Sequence, residues 1–286
     1  MTTHRIITGD CITGMNSLPE CSVHTCITSP PYFGLRAYGG GDAEIGQEET
    51  VDGYVNKMTE VFRAVRRILR DDGTVWLNLG DSYMAAKNVT PPPQTIGGQR
   101  GMPSDFVPPN RRDQRGLKGK DLIGIPWRVA LALQADGWYL RQDIIWHKPN
   151  PMPESVEDRC TRAHEYIFLL SKKPRYYYDH EAVKETTVDA TERKNKRSVW
   201  TVNTRGYKGA HFAVYPEDLI TPCVLAGCPV GGTVFDPFTG SGTTAVVALK
   251  HGRNYIGTEL NPEYVKIAED RIRESLPSTL DEILKG

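Results

Sequence analysis

No C-x-x-C pair occurs among the six cysteines Cys11, Cys21, Cys26, Cys160, Cys223 and Cys228. That spacing argues against a cysteine metal site, so no metal ligand is assigned and reduced thiols are expected. The opening stretch, Met1 to Ile7, has no apolar signal core. No apolar run reaches membrane-spanning length. A soluble, cytoplasmic protein is expected. Net charge is also missing, with 35 Lys and Arg against 35 Asp and Glu. Bulk charge therefore does not announce a nucleic-acid partner, and any such signal must come from local clustering. There is no internal repeat and no dinucleotide-type G-x-G-x-x-G. The 286 residues suffice for one large domain or a domain with a subdomain.

What the chain does have is an alternation of short apolar runs and helical patterns, the mark of an α/β layer fold. Strands are expected at Arg5–Thr8, Val23–Thr28, Thr74–Leu79, Tyr139–Trp146, Glu165–Leu170, Thr233–Phe235 and Asn254–Gly257. Helices are expected at Val51–Arg70, Asp121–Asp136, Pro216–Gly227, Gly242–His251 and Asn261–Ser275. In the first of these, Val51, Tyr54, Met58, Val61, Phe62, Val65, Ile68 and Leu69 fall at helical spacing. Asp71-Asp72-Gly73 reads as its end. Pro149 to Tyr215 reads as irregular apart from the strand at Glu165–Leu170.

Residues 82–120 are broken by Pro91-Pro92-Pro93, Gly97-Gly98 and Pro108-Pro109, too long a stretch for an ordinary connection. Between Lys87 and Arg128 eight basic residues, among them Arg111, Arg112 and Arg115, face only Asp105, Asp113 and Asp121. A solvated loop and a basic arm closing over phosphates are both consistent with this charge; the motifs below favour the arm.

Two motifs carry chemistry. Near the C-terminus, Asp236-Pro237-Phe238-Thr239-Gly240-Ser241-Gly242-Thr243 follows a strand and opens a helix. Glycines 240 and 242 let backbone approach a ligand, and the helix start offers free N–H groups. Glu259 ends the next strand, where a carboxylate accepts from both hydroxyls of a ribose. Near the N-terminus, Thr28-Ser29-Pro30-Pro31-Tyr32 ends a strand. Two prolines fix φ and carry no N–H, so Ser29 Oγ and the Pro30 carbonyl are aimed as acceptors. Two acceptors holding the two N–H bonds of a ring amine draw its lone pair out of conjugation. The nitrogen becomes a nucleophile by positioning and electrostatics alone. Tyr32 offers a ring face to a base turned out of its duplex.

Together, and in this order, the motifs resemble those of the beta-type, circularly permuted DNA amino-methyltransferases, which modify cytosine N4 or adenine N6. The resemblance runs from His211 to Ile272 and includes Gly231-Gly232 and Asn261-Pro262-Glu263-Tyr264. It implies a Rossmann-like, mostly parallel, doubly wound sheet with S-adenosyl-L-methionine as cofactor. Asp236 and Gly240 would line its methionine end, with His211, Phe212 and Thr239 beside it. Asp10, after Gly9, would meet the adenine. Asp143 to Pro151 resembles the segment beside the target base, which nominates Trp146, His147 and Lys148. Serine at position 29 usually accompanies cytosine N4 methylation in the family; a neutral hydroxyl is a weaker acceptor than a carboxylate, and adenine stays open.

The expected layout is a catalytic domain over 1–81, 121–148 and 206–286, a basic DNA-contacting lid over 82–120 and a target-recognition region over 149–205. Arg159–Tyr178 and Arg193–Arg197 mix cations with tyrosines or cluster them, which suits phosphate and base contact. Double-stranded DNA is the expected partner, with a cognate restriction endonuclease and a homodimer as further candidates. RNA or small-amine methylation and an inactive nucleic-acid-binding relative are the competing classes.

Overall fold

The structure, a computed structural model, describes residues 2–34, 44–85, 114, 116–186, 192–204 and 214–275. In chain order the elements are β1 (His4–Thr8), α1 (Cys11–Asn16), β2 (Val23–Thr28), α2 (Val51–Ile68), β3 (Leu69–Leu79), α3 (Ile125–Ala135), β4 (Tyr139–His147) and β5 (His164–Ser171). They continue with β6 (Glu185–Thr186), β7 (Arg193–Lys194), β8 (Val199–Thr201), α4 (Glu217–Gly227), β9 (Thr233–Asp236), α5 (Thr243–Lys250), β10 (Asn254–Glu259) and α6 (Pro262–Ser275).

Eight strands form one sheet in the order β1-β10-β9-β2-β3-β5-β4-β8. All neighbours are parallel except on the two sides of β5, which runs against β3 and β4. The fold is therefore the expected mostly parallel, Rossmann-like one. Helices cover both faces, and successive strand residues alternate between them. Cys26, Val75, Leu77, Phe168 and Phe235 pack with α1, α2 and α3. Ile27, Trp76, Ile167, Leu169 and Val234 pack with α4, α5 and α6.

Several expected boundaries move. β3 begins at Leu69, not Thr74, because the chain leaves α2 directly into pairing at Val23↔Leu69 and then bulges before Thr25↔Thr74. Asp71-Asp72-Gly73 is thus the bulged start of a strand. α3 begins at Ile125, four residues late, since Gly124 is left-handed at φ +78 and Pro126 occupies the first turn. The Asp81 carboxylate caps this helix from a distance, accepting from the N–H groups of Gly124 (2.9 Å) and Ile125 (3.1 Å). α1 was absent from the sequence reading; Asp10 caps it through Thr13 N (2.8 Å). The region 149–205, expected as a target-recognition region with one strand, supplies β5 to this sheet and also β8, which the sequence shows as irregular. Among the described residues the small β6–β7 ladder lies off that sheet.

The sheet reverses its winding between β9 and β2. From β2 the chain moves through α2 to β3; from β9 it moves through α5 to β10, in the opposite direction. The crevice beyond the carboxyl ends at such a point is where open α/β sheets bind ligands. Both chemical motifs open into it.

Candidate active site

β2 and β9 are parallel neighbours, with Cys26 paired to Phe235. Their carboxyl ends therefore emerge side by side, and Thr28 Oγ1 donates to Asp236 Oδ1 at 2.7 Å. This bond joins the Ser29 motif to the glycine loop across more than 200 residues of sequence.

Asp236 is 1% exposed. Its Oδ1 also accepts from Phe238 N (3.0 Å), and its Oδ2 accepts from Thr244 Oγ1 (2.6 Å) and Tyr215 Oη (3.3 Å). Four donors saturate a carboxylate. Burial pushes its pKa up, and those donors hold it back. The side chain ties the motifs together, and its oxygens point into the protein.

The rest of the loop follows the same plan. Thr239 Oγ1 meets Tyr255 Oη at 2.8 Å. Arg271 of α6 donates to Ser241 Oγ (3.2 Å) and Thr243 Oγ1 (2.7 Å) and is itself paired with Glu217 Oε1 (3.1 Å). At Gly242, φ +79, a Cβ would stand 3.0 Å from the Ala268 side chain, so this glycine lets α6 pack. Gly240 is different. It has φ +52, and a Cβ there would find nothing nearer than Phe238 O at 3.9 Å. Its N–H donates to Glu259 Oε2 (2.8 Å), while Glu259 Oε1 accepts from Asn261 N (3.0 Å). Burial raises the Glu259 pKa. Phe238 is half-buried against the core. Asp10 stands after Gly9 at the end of β1, beside β10, with both its cap bonds on Oδ1. His211 and Phe212 lie outside the described residues.

On the other side, Tyr54 Oη donates to the Pro31 carbonyl at 2.9 Å, which fixes the second proline. Ser29 Oγ donates to Tyr32 Oη at 3.4 Å, and Tyr32 Oη donates to Glu165 Oε2 at 2.8 Å. Asn78 Nδ2 donates to the same carboxylate oxygen (3.2 Å) and to Tyr166 O (3.1 Å). Lys148 Nζ pairs with Glu165 Oε1 and lies 4.2 Å from the Trp146 ring centroid. Burial and the Glu165 charge push the Tyr32 phenol well above its ordinary range, so it stays a donor.

The structure sorts the three nominated base-side residues. Lys148 reaches the Ser29 motif through Glu165. Trp146 is 4% exposed and donates Nε1–H to Val202 O (2.8 Å), so it is core. His147 is exposed, with Nδ1 3.2 Å from Thr201 Oγ1. Arg111, Arg112 and Arg115 lie outside the described residues. Arg159 and Arg162 place guanidinium carbons 4.0 and 5.2 Å from the Tyr83 ring centroid. Glu165, Asn78 and Arg271 escaped the sequence reading. The signal for the first two was a polar residue set in each apolar strand, Val75-Trp-Leu-Asn-Leu79 and Glu165-Tyr-Ile-Phe-Leu-Leu170; Arg271 gave none. Among the described residues no group of three or more His, Cys, Asp or Glu is placed to hold a metal ion, and no helix is long and apolar enough to cross a membrane.

The chain is similar to known proteins in sequence and in fold. A family model described as DNA methylase matches residues 23–270. The Type II methyltransferase M.SmaI of Serratia marcescens is 51% identical over 269 residues, covering 94% of this chain and 90% of the relative. M.Cfr9I of Citrobacter freundii, also a Type II methyltransferase, is 50% identical over 265 residues, covering 93% and 86%. Among solved structures, PvuII DNA methyltransferase (cytosine-N4-specific) superposes with TM-score 0.69 at 21% identity, covering 96% of this chain and 92% of that one. The M1.HpyAVI–SAM complex superposes with TM-score 0.57 at 16% identity, covering 94% and 99%. With a family model spanning most of its length and relatives identical at half their positions, the chain belongs to the N6/N4 DNA methylase family.

Proposed function

We propose that the chain transfers a methyl group from S-adenosyl-L-methionine to the exocyclic N4 of cytosine in double-stranded DNA. The observation that carries this reading is the Thr28–Asp236 bond, which sets the Ser29 acceptor beside the glycine loop at the switch point. The residues present fit the cofactor. Gly240 offers open backbone at positive φ, and Gly9, φ +132, has nothing within 4 Å of a Cβ position. Gly240, Phe238 and the Thr239 backbone would hold the methionine end, Glu259 the ribose and Asp10 the adenine. Asp236, Ser241, Gly242 and Thr243 would shape the loop from behind. The bound cofactor supplies an electrophilic methyl group.

The protein's own groups do the rest. Ser29 Oγ and the Pro30 carbonyl accept the two N–H bonds of the amine and localise its lone pair. Pro30 and Pro31 offer no competing N–H, and the Tyr54 bond keeps the turn rigid. The nitrogen gains the methyl group, whose bond to the sulfonium sulfur would break to leave a neutral thioether, and releases one proton to water. Lys118, with Arg111, Arg112 and Arg115, would supply positive charge for phosphates; Lys120, Arg159 and Arg162 are paired with Asp158, Glu154 and Asp81 and would have to exchange those carboxylates for phosphate. The serine at position 29 supports cytosine, as does the cytosine-N4 specificity of the PvuII enzyme. The relatives' Type II designation supports a cognate endonuclease as partner.

The test is to incubate unmethylated duplex DNA with the protein and the cofactor, digest to nucleosides and identify the modified base by mass spectrometry. N4-methylcytosine is expected, and Ser29→Ala should lower the yield about a hundredfold or more. N6-methyladenine alone overturns the choice of base. No transfer to duplex DNA overturns the reaction.

A further inference from the structure

A serine hydroxyl has a difficulty as an acceptor for an amine: it carries a proton of its own. If that proton points at the target nitrogen, donor meets donor and the lone pair is not released. A carboxylate at this position has no such problem. The neutral hydroxyl must be given somewhere else to point.

The side chains behind Ser29 supply that place. The Ser29 hydroxyl points at Tyr32 Oη, 3.4 Å away. Tyr32 accepts only if its own proton is committed elsewhere, and Glu165 Oε2 takes it at 2.8 Å. Asn78 presents its amide N–H to the same oxygen, and Lys148 Nζ sits on the other one. The shorter bond from Tyr32 runs to Glu165, with Asn78 Oδ1 a longer second acceptor at 3.3 Å; Lys148 also donates to Glu165, and the Ser29 proton is drawn the same way. Hydrogen bonds aligned in series polarise one another. The packing is specific to this chain of contacts. Gly80 has no Cβ, and one there would stand 2.6 Å from Tyr32 Cε2 and 3.2 Å from Glu165 Cδ. A Lys148–Glu165 ion pair serving the fold alone would need neither the phenol nor the bare glycine.

We propose that Glu165 is a positioning residue that sets the direction of the Ser29 hydroxyl, so that Oγ meets the target amine as an acceptor. This rests on the methyl-transfer reading above. It assigns to an acid on the reversed strand β5 a part in the reaction, although it lies 136 positions from Ser29 in the sequence.

The test is a double-mutant cycle on single-turnover methyl transfer to unmethylated duplex DNA. Glu165→Gln turns the acceptor into a group that also donates, so Tyr32 is free to donate to Ser29 and the series runs backwards. The rate should fall about tenfold to a hundredfold, with cofactor Kd and DNA KM within about twofold of wild type. Tyr32→Phe keeps the ring and should slow transfer by a similar factor. The combined variant should be no slower than the worse single one, because both changes break the same series. Glu165→Gln at the wild-type rate overturns the proposal, and so does a full extra penalty in the Tyr32→Phe background. If Glu165→Gln loses its cooperative thermal transition, Tyr32→Phe decides: an unchanged rate overturns the series. Wild-type protein that fails to methylate DNA removes the underlying reading, an outcome distinct from both.

Discussion

The two loops that meet at the switch point are built in opposite ways. The glycine loop after β9 turns its polar side chains inward: Asp236 to Thr28, Thr244 and Tyr215, Thr239 to Tyr255, Ser241 and Thr243 to Arg271. What it leaves for a ligand is backbone, with Glu259 beside it. The loop after β2 has no N–H at either proline and presents a side chain, Ser29, backed by the half-buried charge of Glu165 on β5. The first loop works through shape and the second through the direction of hydrogen bonds. Changes behind the first should therefore move cofactor affinity, and changes behind the second should move the rate.

Among changes to the residues behind the two loops, the largest effect is expected from Gly80→Ala, which drives a methyl group into Tyr32 and Glu165. Transfer should slow about a hundredfold while cofactor affinity holds within about twofold, with an overpacking cost of about 1–3 kcal/mol. Single-turnover rates and calorimetric titration of cofactor check it, and a loss confined to affinity would erase the contrast. Next is Arg271→Ala, which releases Ser241 and Thr243 from α6 and leaves Glu217 to Lys250. Cofactor Kd should rise about tenfold, the saturated transfer rate should stay near wild type, and the melting temperature should fall by several degrees.

The smallest effect is in pH. Burial raises the Glu259 pKa, so protonation sets in above the ordinary glutamate value of about 4.3. Cofactor affinity should weaken a few-fold as pH falls from about 7 to about 5. Glu259→Gln should start weaker and stay flat across that range. For the protein without cofactor the sign is opposite. A carboxyl with a raised folded pKa contributes stability below its unfolded value, and that contribution is lost as pH rises through the folded one. Acidification within that window should therefore favour the fold at Glu259 and Asp236 while it weakens cofactor binding.

The difference between the loops also explains what was legible in the sequence. Glycines, prolines and the acid ending β10 advertise themselves because their signals are local: a positive φ, a missing N–H, a strand end. The fold class followed from short apolar runs alternating with helical patterns. What was missed depends on partners far along the chain. Nothing near Arg271 says that it will grip a loop 28 to 30 residues earlier. β8 pairs over only three residues, too few for a period to register, and it is held to β4 by Trp146↔Trp200. Glu165 looked like the polar start of a strand until the fold set Tyr32 against it.

The pairing of β1 with β10 has a consequence for how the protein is made. Thr3 bonds to Asn254, 251 positions away, and Asp10 and Glu259 end neighbouring strands. On the ribosome the Ser29 loop and its charged support are synthesised before β9 and β10 exist. The cofactor side of the crevice is therefore assembled after the acceptor side, and β1 must wait for its partner until β10 has emerged. Such long-range closure slows folding and leaves a strand edge exposed meanwhile. A nascent chain stalled before Thr233 should hold the acceptor half of an active site with no means of using it.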